Sequence, residues 1–171
     1  MKKTVLISAA ALLFLFSGCA SYDPNVNMPT SIKKIAVPVF INKTKEYGIE
    51  QYVTQETIDE FLSEGKVSIT ENERKADGIV QCRITDYIKS VIRVDDSTQV
   101  PQEYRLRIYI DVYFFDNIEQ ALLWKEKGIY EETTYYVAND LGMEVEDETT
   151  AANRVLDSLA KRVVRRVLYG W

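Results

Sequence analysis

The stretch GIVQCRITDYIKSVIRV, residues 78–94, decides the fold. Val80, Cys82, Ile84, Ile88 and Ile92 fall on one side of an extended chain, and Gln81, Arg83, Thr85, Tyr87, Lys89 and Arg93 on the other. Successive side chains of a strand point to opposite faces, so this alternation predicts a long strand with one face in a core and one in water. A second run, YRLRIYIDVYF over residues 104–114, repeats the pattern. Tyr104, Leu106, Ile108, Ile110, Val112 and Phe114 point one way, and Arg105, Arg107, Tyr109, Asp111 and Tyr113 the other. Residues 95–101 form a loop between the two runs, which are expected to pair as an antiparallel hairpin.

Working outward, residues 116–120 turn the chain into a third long run, 121–136. Its alternation is blurred around Gly128, where a bulge is expected, and its register stays open. Upstream, IKKIAVPVFI (32–41) reads as a buried first strand. Pro38 removes one backbone donor there, so the strand should lie near an edge or bulge at that point. Residues 48–64 carry Val53, Thr54, Thr57, Ile58, Phe61 and Leu62 at helical spacing and predict an amphipathic helix stopped by Gly65. A short strand (66–70) and a charged turn (71–77) follow.

Downstream of the hairpin, the acidic residues 144–148 precede a second helix, with Asp147 as its expected N-cap. Ala152, Val155, Leu156, Leu159, Ala160, Val163, Val164 and Val167 form its apolar stripe, and Lys161, Arg162, Arg165 and Arg166 complement the dipole at its C-terminal end. A basic helix of this kind either closes a core or lies on a membrane surface; the core-packed reading is the commoner one. Together these elements predict an α+β domain over residues 32–171, with two helices packed on one face of a mostly antiparallel four- to five-stranded sheet. The other face is left open, lined by Arg83, Tyr87, Lys89, Arg93, Arg105, Arg107, Tyr109 and Tyr113. Tyr and Arg carry much of the binding energy at interfaces, and Arg suits phosphate and carboxylate. The bland alternative is a wet sheet face that happens to be rich in a good strand former.

The N-terminus adds a location. Lys2 and Lys3 precede an apolar run, residues 4–16, of signal-peptide length and too short to span a bilayer. Phe16-Ser17-Gly18-Cys19 resembles a lipobox, with Phe16 where Leu is usual. Residues 1–18 are therefore expected to be a lipoprotein signal peptide, and Cys19 the acylated first residue of the mature chain. An ordinary secretory signal is the alternative. Residues 19–31 read as a lipidated flexible tether reaching on the order of 35 Å, and Ala20 in place of Asp suggests the outer membrane.

Composition narrows the chemistry. Removing the signal lowers the 21 basic residues to 19 against 26 acidic ones, moving the net charge from -5 to -7, which argues against nucleic acid as a partner. With Cys19 acylated, Cys82 has no internal disulfide partner and reads as a buried strand residue. The absence of histidine from the sequence removes His-based triads and HExxH zinc sites, and no phosphate-binding glycine loop is present. No catalytic residue, metal site or cofactor is expected. Paired carboxylates remain the one route to catalysis, as in a wall hydrolase.

With these pieces placed, the whole mature chain resembles the LptE family of lipopolysaccharide-assembly lipoproteins. The resemblance rests on the lipobox and short tether, on the strand from Ile32 to Phe40 running into Asn42-Lys43-Thr44, and on Ala76-Asp77 through Ile84 and Tyr87. It continues in Glu103-Tyr104-Arg105-Leu106 before Leu123-Trp124, and in the closing helix. One departure is Cys19-Ala20-Ser21-Tyr22, where many members place Gly-Tyr directly after the cysteine. The resemblance implies a non-enzymatic, periplasm-facing lipoprotein of the outer membrane. Such a protein plugs and helps fold an LptD-like β-barrel and contacts lipopolysaccharide. Arg93, Arg105 and Arg107 are candidate phosphate contacts on geometry alone. The alternative is another periplasmic interaction lipoprotein, an LpoB-like activator of cell-wall synthesis or a CsgG-like assembly subunit.

Overall fold

Three strands of nearly equal length, β4 (Gly78–Val94), β5 (Pro101–Asp116) and β6 (Ala121–Tyr136), form an antiparallel meander in the computed structural model, which describes residues 28–138 and 142–170. The expected signal peptide, Cys19 and the tether as far as residue 27 lie outside the described residues. Met28 and Ile32 are already in the core, so packing begins within the segment 19–31.

The α+β class is as expected, but the sheet is larger than expected and mixed. It has six strands in the order β3-β1-β4-β5-β6, with β2 also beside β4. β1 (Lys34–Ala36), β2 (Ile41–Asn42) and β3 (Ser68–Ile69) all join in parallel. The cause is Pro38. One expected strand becomes two short ones on the same edge of β4, paired at Ile35↔Gly78 and Ile41↔Arg83. Between them the chain leaves the ladder, and the Phe40 N–H donates instead to Thr54 Oγ1 at 2.9 Å, a buried bond to the helix α1 (Ile49–Glu64). β3 comes after that helix, and a connection of this length is what a parallel neighbour requires.

Both helices cover the same face. α2 (Glu148–Tyr169) buries every residue of its expected stripe and adds Ala151 and Leu168. Asp147 caps it by accepting the Thr150 N–H at 2.7 Å. α1 buries Val53, Thr54, Thr57 and Phe61, while Leu62, expected on the apolar face, is exposed. Beneath the helices, Leu106, Ile108, Ile110, Val112 and Phe114 of β5 are wholly buried. Cys82 lies in this layer, buried, and burial pushes its thiol pKa well up. No helix among the described residues is long and apolar enough to cross a membrane.

Candidate functional site

Two bulges decide which side chains reach the open face. In β4, Ile84 pairs with Ile110 and Asp86 with Tyr109, so Thr85 is an extra residue. Beyond it the faces exchange, as one inserted residue must cause in a period-two chain. Tyr87 and Lys89 pair with Ile108 and Leu106 and therefore turn toward the helices, while Ile88 and Ser90 turn outward beside Arg107 and Arg105. This corrects the expected lining: Tyr87 and Lys89 leave the open face, and Ile88 and Ile92, expected in the core, are exposed. A further irregularity between Val91 and Arg93 brings Arg93 opposite Glu103, back on the open side.

The second bulge is in β6. Ile110 pairs with Ile129 but Val112 with Glu126, and Gly128, at φ +68°, takes the left-handed conformation that glycine alone adopts without strain. Its N–H donates to Asp111 Oδ1 at 3.0 Å. This sets the register left open in the sequence and places Tyr130 and Glu132 across from Tyr109 and Arg107.

The open face thus centres on Arg107. Its Nε donates to Glu132 Oε2 at 2.7 Å, Nη2 donates to the same oxygen, and Nη1 donates to the Tyr109 hydroxyl at 3.2 Å. The guanidinium lies 4.9 Å from the centroid of the Tyr130 ring, which packs against Tyr109 at 5.3 Å. The Glu132 and Tyr109 bonds raise the Arg107 pKa further, so the group is a fixed cation. Arg105, next along the face, makes no hydrogen bond or ion pair among the described residues and is exposed. Arg105 and Arg107 border a hollow of about 190 Å³ with Ile88, Ser90, Val91 and Ile92. One bound cation, one free cation and several aliphatic side chains therefore meet at one place.

The remaining expected residues spread along the face. Arg83 lies opposite Asp111, and its buried Nε lacks a hydrogen-bond partner. Arg93 faces Glu103 at 3.8 Å, an ion pair too long for a hydrogen bond, and its Nε and Nη2 are likewise unmatched. Tyr113 sits between Gln81 and Lys125. Sequence reasoning missed Tyr130, Glu132, Ile88 and Ile92. The glycine in β6 was the signal that could have found the first two.

Tyr87 and Lys89 do something else. The Tyr87 hydroxyl donates to Glu148 Oε1 at 3.0 Å, and Lys89 Nζ lies 2.5 Å from Glu148 Oε2. Burial pulls the Glu148 carboxyl up, but the bonds from Lys89 and Tyr87, with the Lys89 charge, together hold it below its ordinary value. Lys89 also lies 5.5 Å from the ring centre of Tyr104, which stacks on Tyr135 at 5.4 Å. This cluster fastens the first turn of α2 to the sheet.

Past the helices the hairpin continues to a turn organised by one carboxylate. Asp95 Oδ1 accepts the N–H and hydroxyl of both Ser97 and Thr98, at 2.6 to 3.0 Å, and Oδ2 accepts from Gln102. Those bonds, led by the Ser97 hydroxyl, hold its pKa far below the usual carboxylate range. Val91, Val94 and Val100 are exposed around this end.

Comparison with solved structures returns the same fold at low identity. An uncharacterised lipoprotein B from Nitrosomonas europaea aligns with 12% identity over 82% of this chain and 83% of its own, at a TM-score of 0.56. A protein from Xanthomonas campestris aligns with 8% identity over 83% and 86%, at 0.54. A hypothetical protein from Chlamydia trachomatis aligns with 10% identity over 80% and 93%, at 0.50. Curated protein sequences return no significant match. A family model does match: LptE, described as lipopolysaccharide-assembly, over residues 32–167.

Proposed function

This chain belongs to the LptE lipopolysaccharide-assembly family, and from that premise we propose that it is a lipid-anchored outer-membrane protein that seats inside an LptD-like β-barrel and meets lipopolysaccharide there. The family is one of assembly lipoproteins, and the work assigned to this member is docking and not bond-making.

One observation carries the reading: a sheet face that, among the described residues, no helix covers and that presents Arg105 without an ion pair beside Arg107, with a shallow aliphatic hollow between them and β4. Lipopolysaccharide offers phosphates and acyl chains together. Arginine matches the first through charge-assisted, bidentate hydrogen bonds, and the exposed Ile88 and Ile92 match the second. The rest of the face is polar and charged, which suits the water-filled lumen of an outer-membrane barrel. Acylation at Cys19 supplies the anchor, since several buried chains on one residue hold a protein to a bilayer without a spanning helix.

Two measurements test this. The full-length protein, extracted in detergent from its own cells, should bring a large barrel protein with it; a penicillin-binding protein or a ring of identical subunits in its place would replace the reading. Lipopolysaccharide titrated against the protein should bind, and Arg105→Ala with Arg107→Ala should weaken that binding roughly tenfold or more. Unchanged affinity in the double variant would remove the hollow from the site.

A further inference from the structure

Level with residues 86–94, the two long margins of the sheet are finished differently. On the β6 margin, the carbonyls of Tyr130 and Thr134 accept from Arg162 and Arg154 of α2, each at 3.2 Å. Val145 bridges to Tyr136 just beyond, with the Glu146 N–H donating to the Tyr136 carbonyl at 2.8 Å. The chain thus caps that margin itself. On the β4 margin the row is vacated. The Lys43 N–H makes the last bond from β2, to the Ile84 carbonyl at 3.0 Å, and the Thr44 N–H then donates to Asn42 Oδ1 at 2.9 Å as the chain turns away. From Asp86 to Val94, no strand among the described residues lies on that side of β4.

The ladder fixes which groups point into the vacant row. The Tyr130 carbonyl faces away from β5, so its partner Tyr109 turns its own N–H and C=O toward β4 and bonds Asp86. Alternation from there turns the N–H and C=O of Tyr87, Lys89 and Val91 outward, about 7 Å apart along the strand. None of these main-chain groups has a hydrogen-bond partner among the described residues. The usual guards of an open edge are also missing. Lysine blunts an edge when it stands across it, but Lys89 is drawn to Glu148 at 2.5 Å, and Arg93 leans toward Glu103 of β5. No proline interrupts residues 86–94, and Ile88, Val91, Ile92 and Val94 are exposed along them.

We propose that an extended segment of the barrel partner adds to this edge as a further strand, bonded to Tyr87, Lys89 and Val91 and carrying an acidic residue near Arg93. The proposal rests on the barrel reading above. Main-chain chemistry selects the occupant. Outward N–H and C=O groups need acceptors and donors in alternation, which an extended polypeptide supplies, whereas a lipid phosphate accepts and does not donate. A second copy of this chain fits less well. The antiparallel register that engages all three outward residues of both copies sets Lys89 opposite Lys89, and like charges so placed repel. Arg93 supplies the charge complement: its ion pair with Glu103 is 3.8 Å long, and its Nε and Nη2 lack hydrogen-bond partners. Addition in the plane of the sheet leaves the hollow beside Arg105 and Arg107 open to lipopolysaccharide.

The test compares the complex extracted in detergent from its own cells with the full-length protein alone in the same detergent, by hydrogen exchange read residue by residue. The amides of Tyr87, Lys89 and Val91 should exchange roughly tenfold or more slowly in the complex, while those of Ile88 and Ser90, already bonded to β5, should change little. Val91→Pro removes one outward N–H without removing a ladder bond, so it should lower the recovery of the barrel protein roughly tenfold or more. Val91→Ala, which keeps the N–H, should recover it as the parent does. The exchange comparison needs no variant and decides alone if the proline disturbs folding. Outward amides that are not slowed in a complex holding the barrel overturn the proposal and leave the barrel reading standing. An extract without a barrel protein overturns both, and slowed amides there, in a dimer of this chain, would give the edge to a second copy.

Discussion

Gly78 shows how closely this core is filled. A Cβ there would come 2.9 Å from Phe114 Cε2 and 3.0 Å from Ile32 Cγ2, both of them side chains fixed in the packed layer. Gly78→Ala should therefore destabilise the domain by about 1–3 kcal/mol, the usual cost of overpacking, read as a lower urea midpoint. Glu148 offers a second test at this scale. Its pKa is held below the ordinary 4.5, so its contribution is complete above that value and is lost as pH falls through the lower, folded-state pKa. Glu148→Gln should flatten the loss of stability in acid below about pH 4.5 and leave the trend at neutral pH unaltered. An acid limb identical in the variant would show that Lys89 and Tyr87 do not hold the carboxylate in solution.

Among the elements, the divided first strand makes the sharpest prediction. The Phe40 N–H is buried and has Thr54 Oγ1 as its acceptor. Thr54→Val keeps the shape and removes that acceptor, so the variant should lose about 1–3 kcal/mol, the cost of a buried donor left unmatched. Faster hydrogen exchange at the Phe40 amide would identify the cause. The same element shows what was legible in the sequence and what was not. Hydrophobic period located β4, β5, β6 and both helices, and the cap at Asp147 followed from residue type alone. Pro38 announced a disturbance without saying that the strand would resume two residues long on the same edge of β4, because that depends on Thr54, distant in sequence. The exchange of faces at Thr85 left no local mark: a threonine suits either side of a strand, and only the partner strand defines which residue is surplus. Gly128 did carry a mark, and its bulge was expected. Of the candidate face, the β5 half was readable because β5 keeps its alternation, whereas the Tyr87 and Lys89 half was not.

For the whole molecule, the distribution of charge separates folding from docking. Arg107 and Glu132 are an exposed pair, and solvent screening leaves such pairs little weight in stability. Arg107→Ala should therefore melt close to the parent and, combined with Arg105→Ala, still weaken lipopolysaccharide binding, a separation visible when melting and titration are measured on one preparation. Salt should act on the binding and hardly on the melt, since a core built on β5 and the two helices owes little to surface charge.

The turn gathered around Asp95 has a consequence for how this protein meets anything at its far end. With both carboxylate oxygens already engaged, residues 95–100 present one shape before contact. Entropy that a slack loop would forfeit on association has been surrendered during folding instead, so whatever receives this end gains more of the contact energy as affinity.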